Sequence, residues 1–107
     1  MGSRRQTQVS ESIAHMAGEF FARESNRESL ITVTHADVSP DLRNVNIFLS
    51  VLPDKYEAAV LNFAKRNRTE FREFLKKHGR MQYLPNVEFE IDFGEKNRQR
   101  IDDLTRS

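Results

Sequence analysis

The sequence has no cysteine and no tryptophan, and its 107 residues include only four glycines and three prolines. Without cysteine there are neither disulfides nor thiolate metal sites, which suits a reducing compartment. The glycines, at positions 2, 18, 79 and 94, leave no Walker-type loop to cradle a phosphate, and no nucleophile elbow can be traced among the serines. No apolar run approaches the roughly 20 residues needed to cross a bilayer, and no signal-peptide segment precedes the first patterned stretch, so the expected location is cytoplasmic. A surplus of one charge sign is missing as well. Seventeen Lys and Arg face 16 Asp and Glu for a net charge of +1, so affinity for a polyanion has to come from distribution rather than total.

What is present points to one small folded domain. Hydrophobic residues make up 37% and charged residues 31% of the chain, and eight phenylalanines at regular spacing argue for a single modest core. Residues 1–8 hold Arg4 and Arg5 and read as a flexible basic N-terminal arm. Val9, Ile13, Met16, Ala17 and Phe20 recur at three-and-four spacing, which predicts a helix ending near Glu24. Leu30 to Val38 is rich in Ile, Val and Thr, and from Val45 to Val51 the aliphatic residues alternate with Asn46, Phe48 and Ser50; both read as strands. Ser39, Pro40, Asp41 and Leu42 supply turn chemistry between them, so a hairpin is expected.

Pro53 and Asp54 end the second strand. Asp54 is the candidate N-cap of a long helical segment, and Gly79 its candidate stop. On a helical wheel Val60, Ala64, Asn67, Phe71, Phe74, Leu75 and His78 share one face. An amide buried there without partners costs on the order of 1–3 kcal/mol, so a kink is expected at Asn67, Arg68 and Thr69. After Pro85 and Asn86, Val87, Phe89, Ile91 and Phe93 alternate with Glu88, Glu90 and Asp92, the signature of a half-buried strand. Residues 95–107 form a charged C-terminal tail in which only Ile101 and Leu104 are apolar. The domain proper is therefore expected over residues 9–94. Its order, helix, strand, strand, helix, helix, strand, is α+β with helices packed on one face of a three-stranded sheet, the order of a type II KH-like domain.

Beside the apolar stripe, Lys65, Arg68, Arg72 and Lys76 are spaced three, four and four, so a continuous helix carries them in one row, extended by Arg66, Lys77 and Arg80. Two readings stay open at this point. The row is either a solvated face paired with Glu70 and Glu73, or a phosphate-binding stripe in which arginine offers its planar fork. Glu88, Glu90 and Asp92 project from one sheet face, but alternate strand residues stand nearly 7 Å apart at about 3.3 Å per residue, so the three cannot ligate one ion. They read as a solvated acidic face that RNA avoids. His15, His35 and His78 fall on three elements without metal-ligand spacing, and most phenylalanines fall on core stripes. Phe48, out of phase with Ile47 and Leu49, reads as an exposed aromatic. No catalytic set, metal site or cofactor follows from these residues, and an enzyme is disfavoured.

Three stretches, in the right order, resemble the bacterial ribosome-binding factor A family, whose members adopt the KH-like topology. They are Val38-Ser39-Pro40-Asp41-Leu42 with Val45-Asn46-Ile47, the run from Arg80 through Pro85 to Phe89, and Asp92 with Arg100, Ile101 and Leu104. The resemblance implies a non-catalytic ribosome-assembly factor, monomeric and without cofactor, that binds the 30S subunit and 16S rRNA and assists late maturation and 5′-end processing of that RNA. It also implies cold adaptation and, at family level, ribosome-associated GTPases as partners, with no membrane. It favours the phosphate-binding reading for Lys65, Arg66, Arg68, Arg72, Lys76, Lys77 and Arg80, with Arg4 and Arg5 added from the arm. The chain departs from KH domains that read single-stranded RNA through a GxxG loop, and from the Ala-x-Gly kink usual in the resembled family, by carrying Asn67-Arg68-Thr69 at that place. Contacts of this kind position a protein by backbone and shape and read few bases. The alternative is a protein-interaction adaptor that recruits a partner through its sheet face, distinguished by a weaker dependence of binding on salt.

Overall fold

The computed structural model describes residues 4–23, 29–79, 81 and 83–94. Helix α1 (Arg4–Ala22) is followed by strands β1 (Leu30–Val38) and β2 (Asn44–Leu52), a 3₁₀ turn (Asp54–Tyr56), helices α2 (Glu57–Arg66) and α3 (Arg68–Gly79), and strand β3 (Asn86–Ile91). The α-β-β-α-α-β order is the one expected. β2 is the central strand, antiparallel to β1 and parallel to β3. A parallel pair needs a crossover, and α2 and α3 supply it.

The core lies between the helices and one sheet face. Alternate residues of β2 and β3, among them Ile47, Leu49, Val87 and Phe89, are buried against Ile13, Ala17 and Phe21 of α1 and Phe71 and Leu75 of α3. Phenylalanines join the layers edge to face: Phe21 meets Phe89 at 5.4 Å between ring centroids, Phe71 meets Phe89 at 5.8 Å, and Phe20 meets Phe71 at 5.4 Å and Phe74 at 5.7 Å. Such pairs contribute about 0.5–1.5 kcal/mol each beyond the area they bury.

β1 is one residue longer than its ladder requires. Val33 pairs with Leu49 and His35 with Phe48, so Thr34 bulges out of the register. Ile31 and Val33 face the core before the bulge, Ala36 and Val38 after it; the alternation shifts by one and both halves stay on the apolar layer. At the hairpin turn Leu42 takes the left-handed region at φ 62°, and its N–H donates to Ser39 O at 2.9 Å. Asp41 Oδ1 accepts from Ser39 Oγ at 2.6 Å and from the Arg43 N–H at 3.1 Å. The Ser39 hydroxyl first, then the Arg43 amide, holds the Asp41 carboxyl below its ordinary value.

Three local expectations, on the N-terminal arm, Asp54 and Phe93, are corrected. The flexible arm does not extend to residue 8, because α1 starts at Arg4; Gln6 Nε2 donates to Val38 O at 2.6 Å, and Ser10 Oγ accepts from Val38 N at 3.3 Å, so the polar start of the helix is held against β1. Asp54 does not cap α2. It opens the 3₁₀ turn, and the cap position falls to Tyr56, whose side chain makes no capping bond. α3 does stop at Gly79, as expected, but without a positive φ, and the missing Cβ makes room for Met16, whose Cε would lie 3.1 Å from it. His78 is exposed, with its ring 4.5 Å from that of Phe74. Finally, Phe93 is 64% exposed, because β3 stops at Ile91 and the alternation does not carry through. The tail reading for residues 95–107 lies outside the described residues.

Candidate nucleic-acid interface

The expected kink is a break between two helices, and Asn67 closes it. Its N–H donates to Phe63 O at 3.0 Å and to Ala64 O at 3.2 Å, its side-chain amide donates to Phe63 O at 2.8 Å, and its own carbonyl accepts from Phe71 N at 2.9 Å. One residue thus caps the C-terminus of α2 and begins the hydrogen-bond ladder of α3. Its φ of −97° lies on the ordinary side of the map, so the break needs no glycine. The half-buried amide that looked costly in the apolar stripe is satisfied.

The break also divides the basic row. Lys65 and Arg66 stand exposed in the last turn of α2, and Lys76 and Lys77 in the last turn of α3, where cations complement the helix dipole. Among the described residues none of these four pairs with a carboxylate. Arg68 and Arg72 turn toward β3. Arg68 sits at the N-terminus of α3, an unfavourable place for a cation, and bonds Glu88 Oε1 at 2.6 Å and Val87 O at 3.5 Å. Arg72 Nε donates to Pro85 O at 3.1 Å. These two arginines brace the lead into β3, and the one at the break is neutralised, so the expectation of an uninterrupted four-residue stripe is corrected.

Lys65, Arg66 and Arg68 are brought together with Asn62 around one open hollow at the α2–α3 junction. The hollow lies at the end of the sheet where β1 finishes and β2 and β3 begin, since Val38, Val45 and Val87 are in register and Arg68 reaches Val87. The exposed Arg4 and Arg5, at the start of α1, belong to the same end, because Gln6 reaches Val38. Arg43 was missed by the sequence reading. It is exposed in the hairpin turn at this end, where its carbonyl accepts from Asn86 N at 2.8 Å. Nothing in local periodicity marks a turn arginine. Arg80 lies outside the described residues.

The open sheet face also differs from expectation. His35, read as isolated, has Asp92 Oδ2 3.3 Å from Nδ1 and Asp37 Oδ2 3.8 Å from Nε2, and its ring stacks on Phe48 at 4.3 Å and 9°. Phe48 is accordingly half-buried rather than a free aromatic. Thr34 Oγ1 donates to Asp92 at 2.6 Å, so the bulge is what assembles this group. Among the described residues no set of three His, Cys, Asp or Glu could hold a metal ion, and no helix is long and apolar enough to cross a membrane.

A parallel β2–β3 pair bridged by two helices, with a hairpin and a third helix completing the layers, makes this a KH-like domain. The profile of the ribosome-binding factor A family matches residues 5–105, nearly the whole chain, and the chain belongs to that family. A relative named Ribosome-binding factor A from Trichlorobacter lovleyi is 34% identical over 113 residues, covering 99% of this chain and 89% of its own length. The crystal structure of ribosome-binding factor A from Thermus thermophilus matches with a TM-score of 0.69 at 22% identity, over 80% of this chain and 94% of that one. A homology model of the Thermus thermophilus factor, fitted into a cryo-EM map of its 30S complex, matches with a TM-score of 0.62 at 19% identity, over 82% of this chain and 91% of that one. At such identities the two structural matches speak for the fold.

Proposed function

We propose that this protein is a non-catalytic, cytoplasmic assembly factor that binds the 30S subunit as a monomer, contacts 16S rRNA through the helical side, and assists late maturation and 5′-end processing of that RNA. The observation that carries the reading is the hollow at the α2–α3 junction, where Lys65, Arg66 and Arg68 converge beside a helix break in a chain of this family. Lys76 and Lys77 extend it along α3, and Arg4, Arg5 and Arg43 continue it around the end of the sheet. With no glycine loop to admit a phosphate against the backbone, recognition rests on charge and shape. A rigid domain of this kind shifts an RNA equilibrium by binding one conformation better than another. Ribosome-associated GTPases and growth in the cold belong to the same reading.

The test uses the exposed cations and spares the braces. Reversal of Lys65, Arg66, Lys76 and Lys77 to Glu is expected to abolish cosedimentation with purified 30S subunits while leaving the thermal melt near that of the parent. Binding by the parent is expected to fall steeply with salt, each phosphate contact adding about 0.7–0.9 to the log–log slope. Unchanged 30S binding by the fourfold variant removes this surface from the proposal.

A further inference from the structure

The second face of the sheet has no helix on it. Its outward residues form rows across the strands: Asp37, Asn46 and Glu88; His35, Phe48 and Glu90; Thr32 and Ser50; Leu30 and Leu52. None of the three strands contains a lysine or an arginine. The face is therefore acidic at one end. At the other it is apolar: Leu30 is 56% and Leu52 43% exposed, and the two are in register. Single exposed apolar residues are ordinary, whereas a cluster rimmed by polar groups marks an interaction surface.

We infer that this open face docks a protein, and that its partner is a basic polypeptide segment. Lysine or arginine side chains would lie over Asp37 and Glu90, Glu88 being already paired with Arg68, and an apolar side chain would cover Leu30 and Leu52. Charge complementarity selects this partner, because a polyanion meets the Asp37 and Glu90 carboxylates on strands that hold no lysine or arginine. The middle of the face is already ordered by the His35–Phe48 stack and the Thr34–Asp92 hydrogen bond, so little has to be immobilised on docking. From Asn46, in register with Asp37, to Leu52 the surface runs six residues, about 20 Å at ~3.3 Å per residue, a span matched by six residues of extended chain. The inference rests on the 30S reading only for where the partner is met, namely in a protein of the assembling subunit.

A photo-crosslinking amino acid placed at the exposed Thr32 of the full chain tests this with purified 30S subunits. The expected product is a crosslink to a subunit protein within a lysine- or arginine-rich peptide. The double variant Asp37→Lys with Glu90→Lys is expected to lower its yield about tenfold at an unchanged melting temperature. A crosslink to rRNA, a crosslink to a second copy of this chain, or none despite cosedimentation overturns the inference. If the chain does not sediment with 30S, the 30S reading fails on its own, and a second measurement decides: titration of the ¹⁵N-labelled chain with a synthetic peptide of alternating arginine and leucine. Shifts at β1, β2 and β3 amides that the double variant loses support the docking face. Shifts confined to other elements, or none, overturn it.

Discussion

The helical junction and the open sheet face are separated by one layer of core, yet they are built from opposite materials. Among the described residues every lysine and arginine lies in a helix or a turn, and the strands hold none. The carboxylates of β3 fall on its outward positions because its inward ones are apolar. The carboxylates are not confined in the same way, since Glu11, Glu19, Glu57, Glu70 and Glu73 lie in the helices. It is the cations that are segregated by element, and their local clustering, rather than total charge, gives the junction its chemistry. The separation is not absolute. Arg68 leaves the basic side to pair with Glu88 at the edge of the acidic one, so each surface gives up one charge at their border.

The strongest way to break this arrangement is through the core that keeps the surfaces apart. Phe71 is fully buried between Phe20 and Phe89, and Phe71→Ala is expected to destabilise the domain by about 3–5 kcal/mol, read as a lower urea midpoint. Helix and sheet signals should be lost in one transition; two transitions would mean the surfaces belong to separate units. A subtler change sharpens the contrast. Glu88→Gln releases Arg68 from its carboxylate and is expected to tighten 30S binding about two- to fivefold at low salt, while stability changes by only about 0–1 kcal/mol, as for an exposed pair. Weaker binding would show that Arg68 acts as a brace alone. The smallest effect concerns Asp41, in the turn where the two surfaces meet. Because its carboxyl is held below the ordinary 3.8, its contribution to stability is present above that value and disappears as pH falls through the lowered one. Thermal melts from pH 5 to 2 should therefore show a parent advantage over Asp41→Asn that shrinks with acid.

The fold was legible because its elements keep strict periods. Alternation along β2 and β3 and the three-and-four spacing of α1 to α3 each follow from one buried face. The first turn of α1 escaped because it has no apolar residue; what holds it is hydrogen bonding to Val38, across 32 positions for Gln6 and 28 for Ser10. The helix break was readable from one polar residue in an apolar stripe, but its closure by the side chain of Asn67 was not. The site was legible as a list of cations and not as an arrangement. Arg68 and Arg72 find their partners 20 and 13 positions away, beyond any helical period. His35 gained Asp92 because a bulge turns Thr34 and His35 toward the far strand. Such pairings are decided by topology, which composition and spacing do not encode.

The surplus residue of β1 has an evolutionary corollary. Deleting Thr34 would leave Ile31, Val33, Ala36 and Val38 in phase with one another, so the buried layer does not require it. What the deletion would sever is a tie that spans β2 to join the two outer strands, through Asp92. A chain shortened there should keep its architecture and lose the shorter of the two links to Asp92, leaving His35 as the remaining one, which makes position 34 a place where relatives can differ in length without differing in shape.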